Sequence, residues 1–136
     1  MSTLYLETTE DGALRQRIEI GPHQLFADMN TLAGGQDSAP DPHDLFDASL
    51  AACKALTLML YAKQHNIPLQ RVSIDLQRDA SQERGKIYAL DVGLQLIGPL
   101  SDDERQKLLV IADKCPIHKL MSQATINIHT HLVNED

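Results

Sequence analysis

The middle of the chain reads PHDLFDASLAACKALTLMLYAKQHNIP from Pro42 to Pro68. This stretch predicts a long helix over residues 43–65. Pro42 suits the first turn of a helix, and Asp44 and Asp47 are favourable near its positive end. Asn66-Ile67-Pro68 predicts where the helix ends.

Apolar or small residues lie on nearly every face of this predicted helix between Leu45 and Ala62. A helix that is apolar all round is a central one, covered on several sides. Its longest apolar stretch, residues 48–62, would span roughly 22 Å, short of the ~30 Å hydrocarbon core of a membrane, and it contains Lys54. We therefore predict a long buried helix. One chain of this length can hardly cover it, so we expect a partner chain and an intimate dimer.

The residues before the helix have the patterns of strands. Apolar and polar residues alternate from Leu14 to Ile20, which is the period of a half-buried strand. Turn signals on both sides predict flanking strands over residues 5–9 and 24–29. Residues 32–42, with two glycines and two prolines, predict a loop.

Two further strands, a second helix and a last strand are predicted after the central helix. Alternation over residues 72–76 and 88–96 indicates the two strands, and Ser101-Asp102-Asp103-Glu104 is a capping box that opens the second helix. Cys115-Pro116 breaks that helix, a short helical turn reaches Ser122, and residues 124–133 are predicted to form the last strand. The predicted order is β-β-β-α-β-β-α-β, one α+β domain over residues 1–136.

Charge and composition exclude some classes of function. The chain has 136 residues, with 19 acidic against 12 basic residues and a formal charge of -7. Without a stripe of lysines and arginines, and without tryptophan, it lacks the usual electrostatic footprint of a nucleic-acid-binding protein. Residues 1–7 lack the basic and apolar segments of a secretory signal, so we expect a cytoplasmic protein that binds neither nucleic acid nor a membrane.

The only two cysteines, Cys53 and Cys115, are the residues on which chemistry would depend. In a reducing compartment they are more plausibly reactive, metal-binding or simply buried than joined in a permanent disulfide. Burial as small hydrophobes is the simplest interpretation. Against it, Ala51 and Ala52 leave room beside Cys53. Cys115 stands at a helix start, where the N–H groups of the following turn lower the pKa of a thiol.

The segment from Pro42 to Cys53, followed 62 residues later by Cys115-Pro116-Ile117-His118-Lys119, resembles the OsmC/Ohr family. The resemblance implies an intertwined homodimer that reduces organic hydroperoxides with thiols. It places Cys53 at the peroxidatic position and Cys115 at the resolving position. An external thiol or dithiol would regenerate both sulfurs, and no cofactor is expected.

The resemblance also indicates auxiliary residues. In the family, a glutamate ten residues before the first cysteine and an arginine assist that cysteine; here His43 occupies the glutamate's position. Because Cys53 lies too deep in the helix for the terminal dipole, a cation must come from elsewhere, and Arg15 or Arg17 could supply it. His118 stands where the family usually has a small hydroxyl residue.

Two alternatives stay open from the residues alone. A non-catalytic protein of the same fold could bind a small apolar or electrophilic ligand at the dimer interface. A metal site built from Cys115, His118, His129 and His131, which Cys53 could approach, is disfavoured, because the tight paired spacing of a structural zinc site is missing. We therefore expect no metal.

Overall fold

The computed structural model describes residues 3–133, which divide into two compact units. The N-terminal unit comprises residues 3–49 and 78–90, and the core unit comprises residues 50–77 and 91–133. The regular elements are β1 (Tyr5–Thr8), β2 (Gln16–Ile20), β3 (His23–Ala27), α1 (Pro42–Gln64), β4 (Arg71–Asp79), β5 (Ala89–Ile97), α2 (Asp102–Ala112) and α3 (Pro116–Gln123). The predicted α+β class is confirmed, while the single domain stays a prediction.

The first three strands form an antiparallel sheet in the order β1-β2-β3. Ile18, in the middle of β2, lies opposite Leu6 of β1 and Leu25 of β3, and it is buried. The alternation seen in the sequence therefore places one face of β2 against the interior, as predicted. Gly21 adopts a φ of +57°, which glycine tolerates best, and it allows the tight turn between β2 and β3.

The loop after β3 is organised by one buried carboxylate, Asp28. Its side chain accepts hydrogen bonds from the N–H groups of Met29, Gln36 and Ser38 and from the Ser38 hydroxyl. These donors lower the pKa of Asp28 to about 2, with the Ser38 hydroxyl contributing most. A side chain at Gly35 would stand 2.1 Å from the Met29 carbonyl oxygen, so the loop requires glycine there.

Helix α1 buries only one stripe within the core unit. The stripe consists of residues four apart, Leu50, Lys54, Leu58 and Ala62. Leu56 and Leu60 are 70% and 58% exposed. By length and composition alone α1 could cross a membrane, while Leu58 and Ala62 of its stripe pack into the core cluster. The predicted partner that would cover its other faces stays a prediction.

The core unit packs α1 against α2. Leu58 and Ala62 of α1 meet Leu108, Ile111 and Ala112 of α2 in one buried cluster, which Leu69 completes. The predicted capping box opens α2, with Ser101 accepting from the Glu104 N–H and Glu104 accepting from the Ser101 N–H. Strands β4 and β5 pair in a two-stranded sheet, and both show the expected alternation of burial.

The predicted last strand is absent from the described residues, because residues 124–133 contain no strand. Ile126, Ile128, Leu132 and Val133 are all exposed. The alternation along this segment is real, but a strand also needs a neighbour for its backbone N–H and C=O groups. Among the described residues, no strand of this chain pairs with it.

Candidate active site

Cys53 lies near the middle of α1 and is partly buried. Its Sγ atom stands 4.0 Å from the hydroxyl oxygen of Thr57, one helical turn further along. Successive helical residues point about 100° apart, so Cys53 lies beside the buried stripe that contains Lys54. The thiol thus borders the core without being enclosed by it.

Cys115 is the N-cap residue of α3 and is completely buried. Its Sγ atom accepts a hydrogen bond from the backbone N–H of His118 at 3.3 Å. Pro116 occupies the first turn, where its missing N–H costs nothing. The predicted break between the second helix and a short following helix is therefore confirmed, and it places the second sulfur at a helix start.

The two thiols are neighbours, and both are free. Burial raises the pKa of Cys115, and the neighbouring Cys53 thiol raises it further. The N–H of His118 and the positive charge of Lys54 act in the opposite direction. A lowered thiol pKa was expected at this helix start. The structure corrects that expectation, because burial outweighs the hydrogen bond from the His118 N–H.

Lys54 is a buried charged side chain beside the cysteines that was not predicted from the sequence as a site residue. Its ammonium group is buried and donates to the Ala112 carbonyl at 2.8 Å and to Nδ1 of His118 at 2.9 Å. A longer contact of 3.4 Å joins it to Oδ1 of Asp113. The sequence did place this lysine inside an apolar stretch that was predicted to be buried. Because a buried charge must have partners, that position indicates a polar cluster around Lys54.

His118, one of the predicted auxiliary residues, joins this cluster. Because an ammonium group can only donate, Nδ1 of His118 accepts this hydrogen bond. Nδ1 also lies 3.9 Å from Oδ1 of Asp113. The core unit thus gathers Cys53, Lys54, Cys115 and His118 where α1 meets the junction of α2 and α3.

The other predicted auxiliary residues belong to the N-terminal unit. Arg17 pairs with Glu7 at 3.1 Å and with Glu19 at 3.2 Å. The guanidinium group of Arg15 lies 4.1 Å from the centre of the Phe26 ring. Both arginines line a cavity of about 610 Å³ in this unit. Their role beside Cys53 stays a prediction.

His43, the residue at the position of the family's glutamate, has a partner of its own. Its Nε2 atom lies 2.7 Å from Oε1 of Glu83, and its ring lies 6.0 Å from that of Tyr88. Both contacts are within the N-terminal unit. These contacts place His43 in a polar surface cluster with Glu83 and Tyr88. Its catalytic role stays a prediction.

A second polar network surrounds Asp47, in the first turns of α1. Its buried carboxylate accepts from Nε of Arg78 and from the Tyr88 hydroxyl at 2.7 Å. Arg78 also donates to Asp44 at 2.8 Å, and this bond lowers the pKa of Asp44. Burial, followed by the bond to Asp47, raises the pKa of Tyr88 to about 12. The network anchors the beginning of the helix that carries Cys53.

The comparison with protein families matches residues 35–131 to the OsmC-like protein family. The chain belongs to this family. Both cysteines, Lys54 and His118 lie within the matched residues, whereas Arg15 and Arg17 precede them. The resemblance recognised in the sequence is thereby confirmed.

Solved structures of OsmC-like proteins share the fold of this chain. An organic hydroperoxide resistance protein OsmC from Legionella pneumophila is 26% identical, with a TM-score of 0.61 over 90% of this chain and 91% of that one. An OsmC-like protein from Mycoplasma pneumoniae is 18% identical, with a TM-score of 0.69 over 96% of each chain. An organic hydroperoxide resistance protein from Elizabethkingia anophelis is 21% identical, with a TM-score of 0.62 over 90% of each chain. Among curated protein sequences, no match is found.

Within the described residues, no three histidine, cysteine or acidic side chains are grouped to hold a metal ion. His129 and His131 stack on each other with ring centres 5.6 Å apart. The cysteine pair of this OsmC-like protein is instead accompanied by a lysine and a histidine, which is a set of groups suited to thiol chemistry.

Proposed function

We propose that this OsmC-like protein reduces organic hydroperoxides, with Cys53 as the peroxidatic and Cys115 as the resolving cysteine. One observation carries the proposal: the only two cysteines, 62 positions apart in sequence, are neighbouring free thiols. Cys53 is the less buried of the two, which suits it to meet a substrate. Cys115 is enclosed and has a raised pKa, which suits a resolving thiol that reacts only after Cys53 has been oxidised.

The proposed reaction has two steps on the protein. The Cys53 thiolate attacks one peroxide oxygen, the O–O bond breaks, and the leaving alkoxide takes up a proton to become an alcohol. Cys53 is thereby oxidised to a sulfenic acid. The sulfur of Cys115 then attacks that of Cys53, the S–O bond breaks, and the departing hydroxide combines with the thiol proton to give water. A disulfide remains.

An external thiol or dithiol reductant would restore the cysteines by exchange, and no cofactor is required. The organic hydroperoxide resistance proteins from Legionella pneumophila and Elizabethkingia anophelis support this substrate class, since they share the fold. A protein with reducible cysteines fits a cytoplasmic location, which is part of the proposal.

The proposal includes a homodimer. Leu56 and Leu60 on α1, together with Ile128 and Leu132 near the end of the described chain, are large apolar side chains left exposed in a single chain. Contiguous exposed apolar surface commonly marks a protein interface. A second copy could cover α1 and offer a strand partner to residues 124–133.

The decisive test adds one equivalent of cumene hydroperoxide to the reduced protein and counts free thiols. Loss of both thiols in each chain, far faster than in free cysteine, supports the proposal. Cys53→Ser should abolish peroxide consumption, whereas Cys115→Ser should give a single burst and a sulfenic acid that dimedone traps.

Other outcomes would contradict the proposal. Slow and unselective thiol loss would remove the catalytic function and leave the alternative, a protein that binds a small apolar or electrophilic ligand. Equal and complete loss of activity in both serine variants would contradict the assignment of separate roles to the two cysteines.

A further inference from the structure

We propose that Lys54 is the positioning residue of the cysteine pair: it fixes His118 beside Cys115 and supplies the positive charge that stabilises the Cys115 thiolate as the disulfide forms. This inference rests on the proposed function and adds a residue to it. Lys54 acts on the second sulfur, and the cation predicted to assist Cys53, Arg15 or Arg17, stays a separate prediction.

The first support is the way in which Lys54 is held. Its three contacts, to the Ala112 carbonyl, Nδ1 of His118 and Oδ1 of Asp113, match the three N–H bonds of an ammonium group. A long, flexible side chain is thereby fixed in one place inside the protein. Burial of a charge is costly unless it is paired and hydrogen-bonded, and this site provides both.

The second support is the position of these acceptors. All three belong to the end of α2 and the first turn of α3, the segment that also carries Cys115. His118 is attached to Lys54 through its ring and to Cys115 through its backbone N–H. Lys54 therefore ties α1 to the turn that presents the second sulfur.

The third support is the charge around Cys115. The groups that act on this sulfur are Cys53 and Lys54 from α1 and His118 from α3. Asp113, at the end of α2, contacts Lys54 and His118. Nδ1 of His118 is occupied by the bond that it accepts from Lys54. Lys54 is then the group whose positive charge favours the thiolate, against burial and the Cys53 sulfur, which oppose it.

The chemical role follows from the second step of the proposed reaction. The Cys115 thiol gives up its proton before its sulfur attacks, so negative charge develops on a buried atom ahead of S–S bond formation. That charge then leaves with the hydroxide from Cys53, which takes up the proton to give water. An opposite charge held nearby in a dry environment favours that charged form. Lys54 is not expected to affect the attack of Cys53 on the peroxide.

The first experiment uses reduced protein and no peroxide. All variants in this experiment carry Cys53→Ser, so that Cys115 is the one remaining thiol. Its thiolate is measured by ultraviolet absorbance as a function of pH. Lys54→Met should raise the titration midpoint by about one pH unit, a loss of about tenfold in thiolate at neutral pH. Lys54→Arg should keep the midpoint near that of the Lys54 protein, because the cation is retained.

A matched control removes an exposed charge close by. Lys119 follows His118 in sequence and is exposed. Lys119→Met should therefore move the titration midpoint of Cys115 far less than Lys54→Met does. An unchanged midpoint in folded Lys54→Met, or an equal shift in both variants, would overturn the proposal. Circular dichroism establishes that each variant is folded.

Two further variants keep the test decisive if Lys54→Met does not fold. Lys54→Gln retains hydrogen-bond donors without the charge and should also raise the midpoint. Asp113→Asn alters an exposed side chain and removes the carboxylate that offsets Lys54, so it should lower the midpoint. An unchanged or raised midpoint in Asp113→Asn would overturn the proposal.

A kinetic experiment separates this inference from the proposed function. In Lys54→Met, sulfenic acid should form on Cys53 at an unchanged rate, whereas the disulfide should form about tenfold more slowly at neutral pH. If the unsubstituted protein consumes no peroxide, the proposed function fails, while the titration still decides whether Lys54 acts on Cys115.

Discussion

Replacement of Asp47 by alanine tests whether the buried carboxylate at the beginning of α1 holds the N-terminal unit together. Its side chain is 8% exposed and accepts hydrogen bonds from Arg78 and from Tyr88. A hydrogen bond that involves a charged group contributes about 1.5–3 kcal/mol. Because Arg78 is partly exposed and keeps Asp44 as a partner, we expect the two bonds together to contribute about 3 kcal/mol.

The free energy of unfolding can be measured by urea titration and by thermal melts. With an unfolding entropy of about 2.1 cal/mol/K per residue, a loss of 3 kcal/mol lowers the Tm of 136 residues by about 10 °C. Asp44→Ala is the matched control, because Asp44 bonds the same arginine but is 52% exposed, and it should cost less than about 1 kcal/mol. Equal costs for the two variants would refute the reasoning.

The same substitution has a spectroscopic signature in Tyr88. Burial raises the pKa of Tyr88 to about 12, and the hydrogen bond and negative charge of Asp47 add to that effect. Without the carboxylate, the pKa should fall by about one unit toward its usual value. Tyrosinate absorbance measures it, and Tyr88→Phe identifies the signal among the three tyrosines. A pKa that stays near 12 in Asp47→Ala would show that burial alone sets it.

Two further predictions concern the core and the loop after β3. Leu58→Ala removes a fully buried side chain and should cost about 2–5 kcal/mol in urea titrations, whereas Leu56→Ala should leave the stability of a monomer within about 0.5 kcal/mol. A comparable cost at Leu56 in a monomer would contradict the burial pattern of α1. The folded-state pKa of Asp28 is depressed to about 2, so its contribution to stability is complete above about pH 4 and is lost as the pH falls toward 2. The stability difference between the Asp28 protein and Asp28→Asn should therefore shrink over that range, and a difference that does not depend on pH would contradict it.

Local sequence patterns predicted the elements whose stability comes from nearby residues. The alternation around Ile18 identified β2, and the capping box of Ser101 and Glu104 fixed the start of α2. Pro42 marked the first residue of α1, and Pro116 marked the break before α3. In each case, the residues that form the element also supply hydrogen bonds to its backbone, mark its end or define its buried face.

Long-range partners could not be predicted in this way. Residues 124–133 alternate like a strand, yet whether they form one depends on a neighbour that the pattern does not contain. The contacts of Lys54 join positions 58 and 64 residues apart, so no local pattern reveals them. What the sequence did contain was the requirement that a lysine within an apolar helix find acceptors.

The geometry of α1 explains why the cation of this site acts on the second sulfur. Adjacent helical residues diverge by about 100°, so the side chains of Cys53 and Lys54 leave the helix in different directions. Lys54 extends instead along the buried stripe, four residues from Leu50 and from Leu58, to the turn that carries Cys115. A charge placed there can favour thiolate formation on Cys115 during disulfide formation, but it leaves the activation of Cys53 to other groups. We therefore expect substitutions of Lys54 to separate the two steps, slowing the second and sparing the first.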